Sequence, residues 1–100
     1  MTTDQERRYA YGMKVLIIYR PNSEHGRITE DYMRDFQRRY PEQQIDALNV
    51  DSREGSMLAS LYDITQYPAI MVTQNDGQMQ RCWMGEPLPL MDEILSYSRG

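Results

Sequence analysis

Apolar positions along this chain change their period several times, and each change marks an element. Residues 1–12 are polar without a sustained apolar stripe, which predicts a loosely attached tail ahead of one domain spanning 13–100. Lys14-Val15-Leu16-Ile17-Ile18-Tyr19 is a β-branched and aliphatic run stopped by Pro21-Asn22, the pattern of a strand buried on both faces. Ser23 follows where a helix cap belongs, and Ile28, Tyr32, Met33, Phe36 and Tyr40 share one helical face until Pro41 ends it. Residues 44–50 read as a second strand. Asp51 and Glu54 then stand at capping-box spacing before a helix whose stripe is Met57, Leu58, Leu61 and Tyr62.

The second half changes character. Ala69-Ile70-Met71-Val72-Thr73 and Met79-Gln80-Arg81-Cys82-Trp83-Met84 flank Asn75-Asp76-Gly77, a short turn able to supply positive φ, so an antiparallel hairpin is predicted. Gly85 breaks the strand, Pro89 suits a first helical turn, and Leu90, Met91, Ile94, Leu95 and Tyr97 form a final amphipathic helix. The order is β-α-β-α-β-β-α, an α/β domain without internal repeat. Tyr32, Met33, Met57, Leu61 and Ile70 are the default core fillers.

Composition narrows the function classes. One hundred residues, 40% hydrophobic and 26% charged, suit a single small domain. A formal net charge of -4 opposes nucleic-acid binding, which needs clustered cations. Arg34, Arg38 and Arg39 interleave with Glu30, Asp31 and Asp35, and the spacing predicts pairing of Glu30 with Arg34 and of Asp35 with Arg39 on a solvated helix face. No long apolar run marks a membrane span and the polar start lacks the apolar core of a signal peptide, so a cytoplasmic protein is expected. The single cysteine, Cys82, leaves no partner for an intramolecular disulfide and no cysteine-based metal site, so neither metal nor cofactor is expected.

Four segments give the order a family resemblance. Ile17-Ile18-Tyr19-Arg20-Pro21-Asn22 is similar to the first core strand and active-site loop of thioredoxins. Leu48-Asn49-Val50-Asp51 is similar to their next strand. Tyr62-Asp63-Ile64-Thr65-Gln66-Tyr67-Pro68-Ala69 resembles the segment leading to their cis-proline, and residues 75–85 resemble their hairpin and closing glycine. The resemblance covers 13–100 and implies a thioredoxin-like fold with a mixed central sheet flanked by helices. It also implies a cis bond before Pro68, which would leave the Tyr67 main chain free to pair with an extended substrate. The departure from the family is at its chemistry. Ser23-Glu24-His25-Gly26 stands where the family carries Cys-Gly-Pro-Cys, and Ile17 stands where it buries a carboxylate. A serine cannot perform thiol–disulfide exchange, which needs a thiolate.

The remaining candidates are weighed against plain structural roles. Ser23 with His25 suggests a nucleophile and base, yet the chain has one histidine, no carboxylate clearly placed to orient it and no Gly-x-Ser-x-Gly elbow. The plainer reading makes Ser23 a cap and His25 an exposed loop residue. A helix N-terminus near Arg20 and Arg27 offers a generic anion subsite. Cys82 reads as apolar filler or as an exposed single thiol. Tyr19, Tyr67 and Trp83 read as core or as an aromatic patch, the first two flanking the degenerate loop. The sequence therefore points to a redox-inactive module that binds a protein or extended peptide in a groove formed by Tyr19, Tyr67 and Pro68 beside the 23–26 loop. A single-thiol or anion-binding redox accessory and a structural domain are the alternatives. In the structural case a homodimer would form through the strand carrying Cys82, which should lie at a sheet edge.

Overall fold

β1 (Met13–Tyr19) is the strand that every other part of the sheet is built around. Its uninterrupted apolar run requires a neighbour on each edge and cover on each face, and the chain supplies them in turn. β2 (Ile45–Asn49) pairs with it in parallel, with Ile17 opposite Ala47, and β3 (Ala69–Gln74) pairs antiparallel on its other side, with Ile17 opposite Ile70. β4 (Met79–Met84) completes the order β2-β1-β3-β4. The sheet is therefore mixed, as the sequence implied. The computed structural model describes residues 13–74 and 76–99. The expected tail 1–12, Asn75 of the turn and Gly100 lie outside the described residues.

The odd residues of β1 face α1 (Gly26–Arg39) and α3 (Met91–Arg99). There Val15, Ile17 and Tyr19 pack with Phe36, Ile70, Val72, Ile94 and Leu95. On the other face Ile18 packs with Val50, Ala59, Ile64, Ala69 and Met71 under α2 (Arg53–Leu61). Among the described residues one short helix covers this second face. Consequently Lys14 is exposed and Leu16 only half-buried, so β1 is not sealed along its whole length as expected.

Several local expectations need correction. The start of α1 is not capped by Ser23: the N-cap residue is His25, without a side-chain cap bond, and Ser23 Oγ donates 2.6 Å to the Arg20 carbonyl instead. At α2 the cap is Ser52 rather than Asp51, its Oγ accepting from the Gly55 N–H at 3.0 Å. α3 begins at Met91, and Pro89 is a buried residue ahead of it whose carbonyl accepts from the Tyr32 hydroxyl at 2.8 Å. Ile28, Met57, Leu61 and Leu90 lie outside the core, while Thr29 is fully buried with its hydroxyl bonded to the His25 carbonyl. Arg34 pairs with Asp31 rather than Glu30, whereas the expected Asp35 and Arg39 pair is present. In the hairpin Gly77 supplies the positive φ, at 92°.

Candidate functional site

The end of β1 and the start of β3 place the candidate residues beside one another. Ile18 lies opposite Ala69, and continuing the antiparallel register brings Pro68 beside Tyr19 and Tyr67 beside Arg20. The Tyr67-Pro68 peptide bond is cis, as is Glu86-Pro87. Pro68 is buried and its carbonyl accepts from Gly85 N–H at 2.9 Å, tying this corner to the end of β4. Tyr67 is half-buried with its hydroxyl donating 3.2 Å to the Ile64 carbonyl. Its main-chain N–H and C=O make no hydrogen bond to any described residue.

The loop from Arg20 to Gly26 is closed on itself. Arg20 N–H donates to His25 Nε2 at 3.1 Å, Ser23 Oγ donates to the Arg20 carbonyl, and Gly26 N–H donates to the Ser23 carbonyl at 3.1 Å. The first bond requires an imidazole unprotonated at Nε2. His25 is thus half-buried and engaged, not the exposed loop residue expected. Glu24 is exposed and has no side-chain partner among the described residues.

Gly26 carries the sharpest constraint. A Cβ at this position would lie 2.0 Å from the Pro21 carbonyl oxygen and 2.7 Å from its carbon. No side chain fits there while the loop keeps this path. The second cysteine of the resembled motif falls at this position, where the loop has no room for a side chain.

Around the loop, Arg20 makes a two-pronged pair with Asp51, Nε to Oδ2 at 2.9 Å and Nη2 to Oδ1 at 3.0 Å, which joins the ends of β1 and β2. The hydrogen bond and charge of Asp51 raise the Arg20 pKa, and the Arg20 hydrogen bond lowers that of Asp51. Both groups are exposed, so solvent screens the pair. With its charge spent on Asp51, Arg20 is a poor companion for an anion at the α1 terminus. Tyr19 is not the exposed aromatic considered from the sequence: it is 7% exposed, and its hydroxyl donates to Glu30 Oε2 at 2.9 Å. Burial, then the bond to Glu30 and its charge, push the phenol up to about 12.

Cys82 lies elsewhere. It sits in β4 opposite Met71, half-buried against the α2-side cluster, and burial raises its thiol pKa, which suppresses the reactive thiolate. Trp83 is also half-buried, packed edge-on against Tyr97 at 5.9 Å between centroids. Among the described residues no cluster of three or more histidine, cysteine or acidic side chains could hold a metal, and no helix is long and apolar enough to cross a membrane. The clash at Gly26 and the His25 bond were invisible in the sequence. Glycine in a loop is ordinary, and only the path of Pro21 makes it obligatory.

Neither a family model nor a curated protein matches this sequence. Solved structures do. Oxidised thioredoxin from Plasmodium falciparum is similar with a TM-score of 0.67 and 14% identity, over 96% of this chain and 92% of that one. Oxidised thioredoxin O2 from Arabidopsis thaliana gives 0.65 and 11% over 96% and 80% of the two chains. Mitochondrial thioredoxin 3 from Saccharomyces cerevisiae gives 0.62 and 17% over 84% and 79%. At these identities the likeness is one of fold, and the chain has a thioredoxin-like fold.

Proposed function

We propose that this thioredoxin-like domain is a redox-inactive module that binds a protein segment in extended conformation at the Tyr67-Pro68 edge. The observation that carries the reading is the Tyr67 main chain, whose N–H and C=O are unpaired among the described residues beside the loop that Arg20, Ser23 and His25 close with their hydrogen bonds. An extended peptide laid against Tyr67 would complete those bonds by strand-like addition. The half-buried Tyr67 ring would select among side chains. Tyr19 and Pro68 are buried and contribute little side-chain surface to the edge.

Three features support the redox-inactive reading. Neither motif position carries sulfur, Gly26 has no space for it, and the one thiol lies in β4 with a raised pKa. The chain should therefore leave insulin disulfides intact in the presence of a chemical reductant at its background rate. Acceleration abolished by Cys82→Ser would contradict the reading.

For binding, peptides selected by display against the full chain are resynthesised with N-methyl groups at alternate backbone positions. Main-chain pairing at Tyr67 predicts at least a tenfold loss of affinity for one of the two methylation phases and little for the other. Equal tolerance of both phases would remove strand addition as the binding mode.

A further inference from the structure

Asp63 stands where the local structure disfavours it twice. It follows the end of α2, its N–H donating to the Ser60 carbonyl at 3.3 Å while the Ile64 N–H reaches the Ala59 carbonyl at 2.8 Å. Its φ is 55°, and among the described residues no other non-glycine has a positive φ. This left-handed position after a helix is most often taken by glycine, because a Cβ crowds the backbone there. A carboxylate also sits poorly beside the negative end of the helix dipole. Neither cost is offset by a side-chain partner, since the exposed Asp63 carboxylate makes no hydrogen bond or ion pair to any described residue. Residues held against local preference cluster at binding sites. Asp63 lines an open pocket of about 360 Å³ between α2 and the segment that leads to Pro68. Val50, Ala59 and Ile64 are buried and give this pocket an apolar floor, while the exposed Ser60 and Asp63 give it a polar rim. The half-buried Tyr67 lines it too, which joins it to the edge where an extended segment would pair.

We propose that this pocket takes one lysine or arginine side chain of the extended segment bound at Tyr67, its methylenes over Val50, Ala59 and Ile64 and its cation at Asp63. The inference rests on the reading of the Tyr67-Pro68 edge as a peptide-binding edge and adds which segments it selects. Lysine and arginine lay an apolar stem along apolar surface while keeping the charged head in water, which matches a buried floor beneath an exposed carboxylate. An aliphatic side chain would cover the same floor and leave Asp63 without a partner, and an acidic one would be repelled. The formal net charge of -4 favours encounter with a basic partner in the same sense.

Random peptides selected by display against the full chain should carry one lysine or arginine at a fixed distance from the backbone positions that N-methylation makes sensitive. In such a peptide that residue is replaced by its uncharged analogue, norleucine for lysine or citrulline for arginine. Binding to the wild type should weaken about three- to fivefold, the size of an exposed charge pair, and the loss should shrink in added salt. Asp63→Asn keeps a residue that accepts left-handed backbone, so its circular dichroism should be unchanged while the replacement costs it no affinity. An equal loss in wild type and Asp63→Asn would overturn the inference, as would selected peptides without a fixed basic residue; strand addition at Tyr67 would still stand if the two methylation phases differ. Equal phases together with no dependence on Asp63 would remove both readings. A loss that needs Asp63 in a peptide indifferent to methylation would overturn the inference as well, because the cation would then belong to a segment not paired at Tyr67.

Discussion

Single residues decide what this site can do. At Gly26 the Pro21 carbonyl occupies the space of a Cβ, so Gly26→Ala must displace the loop or strain it, an overpacking cost of about 1–3 kcal/mol. Chemical denaturation should show that loss, and Ser23→Cys with Gly26→Cys should suffer it as well rather than recover a stable disulfide. Tyr19 makes a pH prediction. Its phenol is held neutral in the folded state by burial and by donation to Glu30, with a pKa raised to about 12. The stabilisation is complete below pH 10 and is lost as pH rises through about 12. The melting temperature of the wild type should therefore fall more steeply over that window than that of Tyr19→Phe, which has no proton to lose. Parallel curves would show that Tyr19 ionises as easily folded as unfolded. Sequence could flag these residues by position only. Whether Tyr19 points inward, or what His25 accepts, depends on the loop path that Pro21 and Gly26 set together.

Elements were legible in kind and order, and their ends and exposed faces were not. Apolar periodicity identifies a helix's inner stripe only if the chain provides a layer to meet it. α1 finds Phe36 a full burial site because α3 lies alongside, whereas Met57 and Leu61 of α2 have no second helix beside them among the described residues. Caps were misread for a related reason. Ser23 and Asp51 are both capping types, but Ser23 is drawn back to Arg20 and Asp51 outward to the same arginine, leaving Ser52 to cap α2. Ser52→Ala should cost about 1 kcal/mol in denaturant unfolding, and Ser52→Asp should retain most of it. An equal loss in both would mean that the hydroxyl acts through its bond to the Asn49 carbonyl instead.

At the scale of the molecule, the described residues cover one face of the sheet with two helices and the other with one. The face with two helices holds the core under α1 and α3, with Phe36 at 0% exposure, and Phe36→Ala should remove about 3–5 kcal/mol. That half packs against β1, which leads into the loop. The four strands and the hairpin are legible in the sequence because their signals are local, and the mixed sheet through the family resemblance. The groove between β2 and α2 arises only once the strands are ordered. The positions that resemble the family's Cys-Gly-Pro-Cys cysteines hold a serine bonded to its own loop and a glycine that admits no side chain. The most direct measurement is an amide NMR titration of the full chain with a display-selected extended peptide. Perturbations centred on the Tyr67 amide and the residues of the 20–26 loop, with β2 and β4 unmoved, are the predicted result. A saturable response confined to other surfaces would contradict the account.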